Sequence, residues 1–138
     1  IPSGNSVSAL NFVRLGRILS RFDYDEFAYD IIEAFSSKIN RYGSSSSFLL
    51  QAISYIEGPS YEIIIRGELS ENDKFLKEIQ KIEQPNKVII YNNDSSNYFK
   101  FLDNYPPGEN NKTLVYVCQN YSCQLPTDDI IKIKKILK

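Results

Sequence analysis

The chain has no histidine, methionine or tryptophan, and of its 138 residues only two are cysteine. Each absence excludes a class of chemistry. Without histidine, a Ser-His-Asp or Cys-His nucleophile, a zinc-protease helix and most catalytic zinc sites cannot be assembled from this chain, and no metal site is expected. No apolar run approaches the roughly twenty residues needed to cross a bilayer. The opening Ile1-Pro2-Ser3-Gly4-Asn5 lacks the basic start and apolar core of a secretory signal, and reads as a cut end. A soluble, cytoplasmic chain without a membrane partner is therefore expected. An excess of charge of one sign is missing too, with 16 Lys and Arg against 17 Asp and Glu. That balance gives no electrostatic reason to expect nucleic acid. The one basic cluster, Lys132, Lys134, Lys135 and Lys138, alternates with Ile131, Ile133 and Ile136 and reads as the solvated face of a last helix. Chemistry, if present, rests on carboxylates, lysines, tyrosines or the two cysteines, and no cofactor is indicated.

What is there begins with helical periodicity. At 138 residues the chain fits one compact domain, or two sub-domains sharing a core. Ser6 through Leu19 places Ala9, Leu10, Phe12, Val13, Leu15, Ile18 and Leu19 around more than half a helix, with Gly16 permitting close approach of a neighbour. Such a helix needs partners on two sides. Asp23 with Glu26 resembles a capping box, after which Phe27, Ala28, Ile31, Ile32, Phe35 and Ile39 trace one stripe. A third helix after the run Ser44 to Ser47 carries Phe48, Leu49, Ala52, Ile53 and Ile56 and stops at Gly58-Pro59. Because the first helix has more apolar surface than two short neighbours can cover, missing upstream helices or a homo-oligomer are expected to cover the rest.

From Tyr61 the pattern changes. Glu62 to Arg66, Lys87 to Tyr91 and Thr113 to Val117 are short, β-branched runs bounded by turn residues, as expected of buried strands. Between them lie Phe75, Leu76, Ile79 and Ile82 after the cap candidate Ser70, then a shorter helical pattern with Tyr98, Phe99 and Leu102. A last helix is expected after the cap Thr127 and running to Leu137. The alternation predicts an α/β fold: a helical segment over residues 1–58, then a small, mainly parallel three-stranded α/β unit over 59–138.

Candidate chemistry is sparse. Cys118 and Cys123 follow the third strand, where open α/β sheets commonly bind ligands. Four intervening residues do not make a thioredoxin-type pair, and two thiols without histidine supply half a zinc site. Two free or structural thiols is the simplest reading, a disulfide the second, a metal or redox role the third. Ser3, Gly4, Asn5 and Ser6 open the first helix; capping explains them, although such a start can also receive an anion or a sugar hydroxyl. Gly67 and Asn93 lie in the ligand-side loops after the first two strands, without a phosphate-binding glycine pattern, so ordinary turns compete with a ligand role. The acidic residues Asp23, Asp25, Glu26 and Asp30 suit a helix start and define no acid and base pair. The sequons at Asn93, Asn111 and Asn120 follow from an Asn- and Ser-rich composition.

Several motifs in order carry a resemblance across nearly the whole chain: Pro2-Ser3-Gly4-Asn5-Ser6-Val7, Leu15-Gly16-Arg17, Tyr61 to Gly67, and Tyr116 to Pro126. Together they are similar to the carboxyl-terminal region of the uncharacterised thioredoxin-domain-containing family, whose animal member is a spermatogenesis-associated protein. The resemblance implies a parent with a thioredoxin-like domain, then an (α/α) toroid similar to N-acylglucosamine epimerases and six-hairpin glycosidases, then a small α/β unit. This chain would supply the last toroid helices and that unit. Gln119 stands where the family has an acidic residue, which argues against a charged role there. The functional expectation is a substrate-adjacent segment of a carbohydrate-active or redox-linked protein, without a complete active site of its own and with the parent's upstream domains as partners. The alternative is a self-contained α/β module binding a small anionic ligand or a protein partner in its strand-end loops.

Overall fold

The computed structural model describes residues 3–92 and 99–137, apart from the side chains of 69–73 and 92. The sequence-predicted residues Asn93 and Tyr98 lie outside the described residues. The chain divides into two compact units, Ile1–Ser60 and Tyr61–Lys138.

The first unit is helical. Helix α1 (Gly4–Leu19) is capped by Ser3, whose side chain accepts the Ser6 amide at 3.2 Å. Helices α2 (Asp23–Ala34), α3 (Ser36–Arg41) and α4 (Ser47–Glu57) follow. The stripe expected to run unbroken to Ile39 is interrupted at Phe35, whose backbone leaves helical geometry at φ −109° and ψ 9°. The capping box is absent as well: α2 starts without a side-chain cap, and Asp23 instead grips Arg21 at 2.7 and 2.5 Å. Helix α1 packs on both α2 and α4. Ala9, Leu10 and Val13 are buried there with Ala28, Leu49, Ala52 and Tyr55. This is the two-sided packing its wide apolar face requires. It covers more than the sequence suggests, leaving Leu15 as the exposed large apolar residue of α1. The other exposed large apolar side chains among the described residues of this unit are Phe22, Phe27, Tyr29, Tyr42 and Leu50.

The second unit is a mixed four-stranded sheet, ordered β2-β1-β3-β4, rather than the mainly parallel three-stranded one expected. Strands β1 (Tyr61–Arg66) and β2 (Lys87–Asn92) are parallel, joined through helix α5 (Leu69–Gln80). Strand β3 (Leu114–Gln119) runs antiparallel to β1, and β4 (Ser122–Cys123) antiparallel to β3. A parallel neighbour needs a full crossover, usually a helix. The described chain between β2 and β3 carries only 3-10 turns, Lys100–Asn104 and Glu109–Asn111, where a helix over Phe99 and Leu102 was expected. Ser70 lies inside α5 rather than capping it. The last helix, α6 (Ile130–Ile136), is capped by Asp129, whose Oδ1 accepts the Ile131 amide at 2.8 Å. Thr127, the expected cap, instead bridges to Val115.

Successive strand residues face opposite ways. Ile63 and Ile65 of β1 face a core with Ile79 of α5 and Ile133 and Leu137 at α6. Glu62, Ile64 and Arg66 therefore share the other face. Lys87 closes the end of α5, its Nζ donating to the Ile79 carbonyl at 2.9 Å and to that of Ile82.

The two helices over the core are joined by charge. Glu78 of α5 accepts from Lys81 and from Lys134 of α6, each at 2.6 Å. These ammonium groups hold its carboxyl at about 2, against an ordinary 4.5. A carboxylate depressed by folding stabilises above its unfolded pKa and loses that contribution as pH falls through its folded one. Docking of α6 on α5 is thus expected to weaken between pH 4.5 and about 2. Hydrogen exchange of the α6 amides over that range should show it, with Glu78→Gln reducing the pH dependence.

Candidate functional site

The residues with unusual burial and geometry collect at the two ends of β1. At its carboxyl end, Gly67 adopts φ +123°, in the left-handed half of the map. A Cβ there would lie 2.7 Å from the Lys112 carbonyl oxygen and 2.7 Å from the Thr113 Cα. The neighbouring backbone is held by the Glu68 amide donating to the Asn111 carbonyl at 3.0 Å. The Gly67 turn is therefore occupied by the chain's own residues 111–113, and its glycine is needed for close backbone packing.

One residue earlier sits Arg66, whose residual exposure is 9%. Its Nε and Nη1 are buried and have no hydrogen-bond partner among the described residues. Its strand neighbours are Asn92 of β2 and Leu114 of β3. Tyr116, opposite Ile64 on the same face, donates its hydroxyl to the Pro106 carbonyl at 2.6 Å and meets the Tyr105 ring edge-on. Burial pushes the Tyr116 phenol up, with the nearby Arg66 charge pulling it down.

At the amino end of the same face is Glu62, only 4% exposed, whose Oε2 accepts the Tyr121 amide at 3.1 Å. Asn120 and Tyr121 take φ 49° and 66°. Two successive left-handed residues form the tight hairpin turn that suits a twisted antiparallel pair. The turn sets Gln119 opposite Ser122 and Cys118 opposite Cys123. A disulfide joins the two cysteines, where two free or structural thiols was the simplest expectation. The reason is the turn: the four-residue gap is spent on one strand position each side and a two-residue loop. Cys118 is buried and Cys123 exposed, within 3.4 Å of the Tyr105 hydroxyl. Exposed Leu125 follows.

The helical unit contains the other buried arginine. Arg17 Nε donates to Ser60 Oγ at 2.8 Å, Nη1 to Asp25 Oδ2 at 2.6 Å and Nη2 to the Tyr55 carbonyl at 3.5 Å. This cluster holds α1, α2 and α4 together. Near it, Phe12, Tyr24 and Phe27 form an aromatic group with the Arg21 guanidinium 5.0 Å above the Tyr24 ring.

The sequence-predicted site residues fall in both units, and those of the second are not gathered at one end of its sheet. Ser3 caps α1, Gly4 is its first helical residue, Asn5 is exposed on its first turn, and Ser6 donates both its amide and its hydroxyl back to Ser3. Gly67, Cys118 and Cys123 belong to the other unit, with Cys118 at the opposite end of β1 from Gly67. Sequence reasoning passed over Arg66, Glu62 and the Arg17 cluster. A usable signal existed, since Glu62 and Arg66 bracket three consecutive isoleucines in a strand whose other positions are all buried.

No family model matches the chain. No solved structure matches it either. Among curated proteins it is similar to spermatogenesis-associated protein 20 of Rattus norvegicus, at 30% identity over 143 aligned positions. The Homo sapiens and Mus musculus proteins of the same name are each 29% identical to it. The match covers 99% of this chain but 18% of each relative. The chain is similar to one part of spermatogenesis-associated protein 20 and spans about a fifth of that protein's length.

Proposed function

We propose that this chain is the terminal, non-catalytic part of a multidomain protein, and that it completes and supports the parent's site without containing one. The helical unit supplies the last helices of an (α/α) toroid, preceded by a thioredoxin-like domain, and the α/β unit closes the chain. The parent is carbohydrate-active or redox-linked. The observation that carries this reading is the asymmetry of the match, nearly the whole of this chain against 18% of its relatives. Exposed apolar side chains give it physical support. Phe22 is 64% exposed, Phe27 47% and Leu15 42%, all on the helical unit, which is what a surface covered by upstream domains looks like once they are absent. The polar start of α1, Ser3 to Ser6, would then face the toroid mouth.

Full-length protein and this chain alone, assayed side by side against amino sugars and a disulfide substrate, test the proposal. Turnover by the full-length protein and none by the chain is expected. Turnover by the isolated chain would sink it.

A further inference from the structure

We propose that Arg66 is the anion-recognising residue of the α/β unit, taking an oxyanion of a small carboxylate or phosphate ligand at the carboxyl end of β1. The case starts from what a guanidinium requires. It stays charged at any physiological pH and carries five donors in a planar fork. Burying it is costly unless acceptors meet those donors. Arg17 shows how this chain treats an arginine that serves the fold alone, with each of its three nitrogens given an acceptor. Arg66, 9% exposed, has Nε and Nη1 buried without a hydrogen bond among the described residues. The contrast lies within one molecule and between residues of the same type.

The other charges on the sheet do not answer it. Glu62 shares the face but stands four residues along the strand, roughly 13 Å away at the usual rise, and its Oε2 is engaged by the Tyr121 amide. Lys112, in the adjacent segment, is paired with Asp128 at 2.5 Å. Tyr116, flanking Arg66 on this face, directs its hydroxyl to Pro106. Burial and a missing acceptor favour a compact ligand with several acceptor oxygens, because such a group can meet donors that point in different directions. Arg66 ends the strand that pairs in parallel with β2. The Gly67 turn beyond it is filled by residues 111–113, so the ligand is placed on the sheet face that Arg66 shares with Tyr116. This inference is independent of the chain's place in a longer protein.

The test uses the whole chain, nitrogen-15 labelled, in a buffer of constant ionic strength set with chloride. Inorganic phosphate and acetate are titrated separately while the arginine Nε–H resonance missing from Arg66→Lys is followed. A saturating shift with a midpoint on the order of 1 mM is expected for at least one probe. The probe that responds distinguishes a phosphate ligand from a carboxylate. At tenfold excess over the midpoint, that probe should raise the melting temperature by about 5 °C, and that of Arg66→Met not at all. Arg66→Met should also be at least as stable as the unsubstituted chain when phosphate and acetate are absent, since it removes a buried charge lacking acceptors. No response to either probe, an equal response in Arg66→Met, or unfolding of Arg66→Met in chloride alone would each overturn the assignment.

Discussion

Arg17→Ala is expected to lower the stability of the helical unit by about 3–5 kcal/mol, the usual cost of removing one partner from a buried ion pair. The Arg17 side chain is 3% exposed and that of Asp25 20%. Losing the guanidinium would take from the partly buried Asp25 carboxylate its 2.6 Å cationic partner, remove the donor to Ser60 Oγ and leave a hole where α1, α2 and α4 meet. Arg17→Lys should recover little. A single ammonium cannot reach Asp25, Ser60 and the Tyr55 carbonyl in the directions a planar guanidinium does. Replacing both members, Arg17→Met with Asp25→Leu, should cost less than either single change, because desolvation of the pair offsets much of its attraction. Chemical unfolding followed by circular dichroism at the helical band measures the five variants, both single changes of the pair included, against the unsubstituted chain. A loss below about 1 kcal/mol for Arg17→Ala would mean the cluster behaves as a surface pair.

Gly67→Ala should damage the other unit by a comparable amount, about 3–5 kcal/mol, summing backbone strain and overpacking. At φ +123° an L residue is strained whatever space surrounds it, and here there is none. The contacts at 2.7 Å are with the backbone of residues 112 and 113, which cannot rotate away as a side chain could. Relief would require residues 111–113 to shift, and those residues lead directly into β3. A ligand-binding glycine would behave differently, leaving stability close to normal and failing only when ligand is present. Thermal unfolding of Gly67→Ala with no anion added separates the two: a large drop in melting temperature supports the packing role, and an unchanged one refutes it.

Some of this was legible without coordinates. The change of period at Tyr61 separates a helical half from an α/β half, because burial demands a repeat of about 3.6 in one and continuous β-branched runs in the other. The Gly58-Pro59 stop, the two-sided packing of α1 and the serine cap at its start were equally visible, since each follows from local stereochemistry.

Other features depend on residues distant in sequence. The orientation of β3 follows from the path the chain takes after β2, and a β-branched run reads alike in either direction. The pairing of Cys118 with Cys123 depended on Asn120 and Tyr121 both turning left-handed, a conformation tyrosine seldom adopts and composition does not announce. The capping role given to Asp23 failed because Arg21 supplied a stronger partner than the helix amides. The difference between the two buried arginines was hidden for the same reason. Sequence determined that Arg17 and Arg66 are permanently charged, and Arg66 that it ends a buried strand. Only tertiary structure decided that the first would meet Asp25 and Ser60 while two nitrogens of the second would be left without acceptors, because hydrogen-bond partners are chosen by proximity in space.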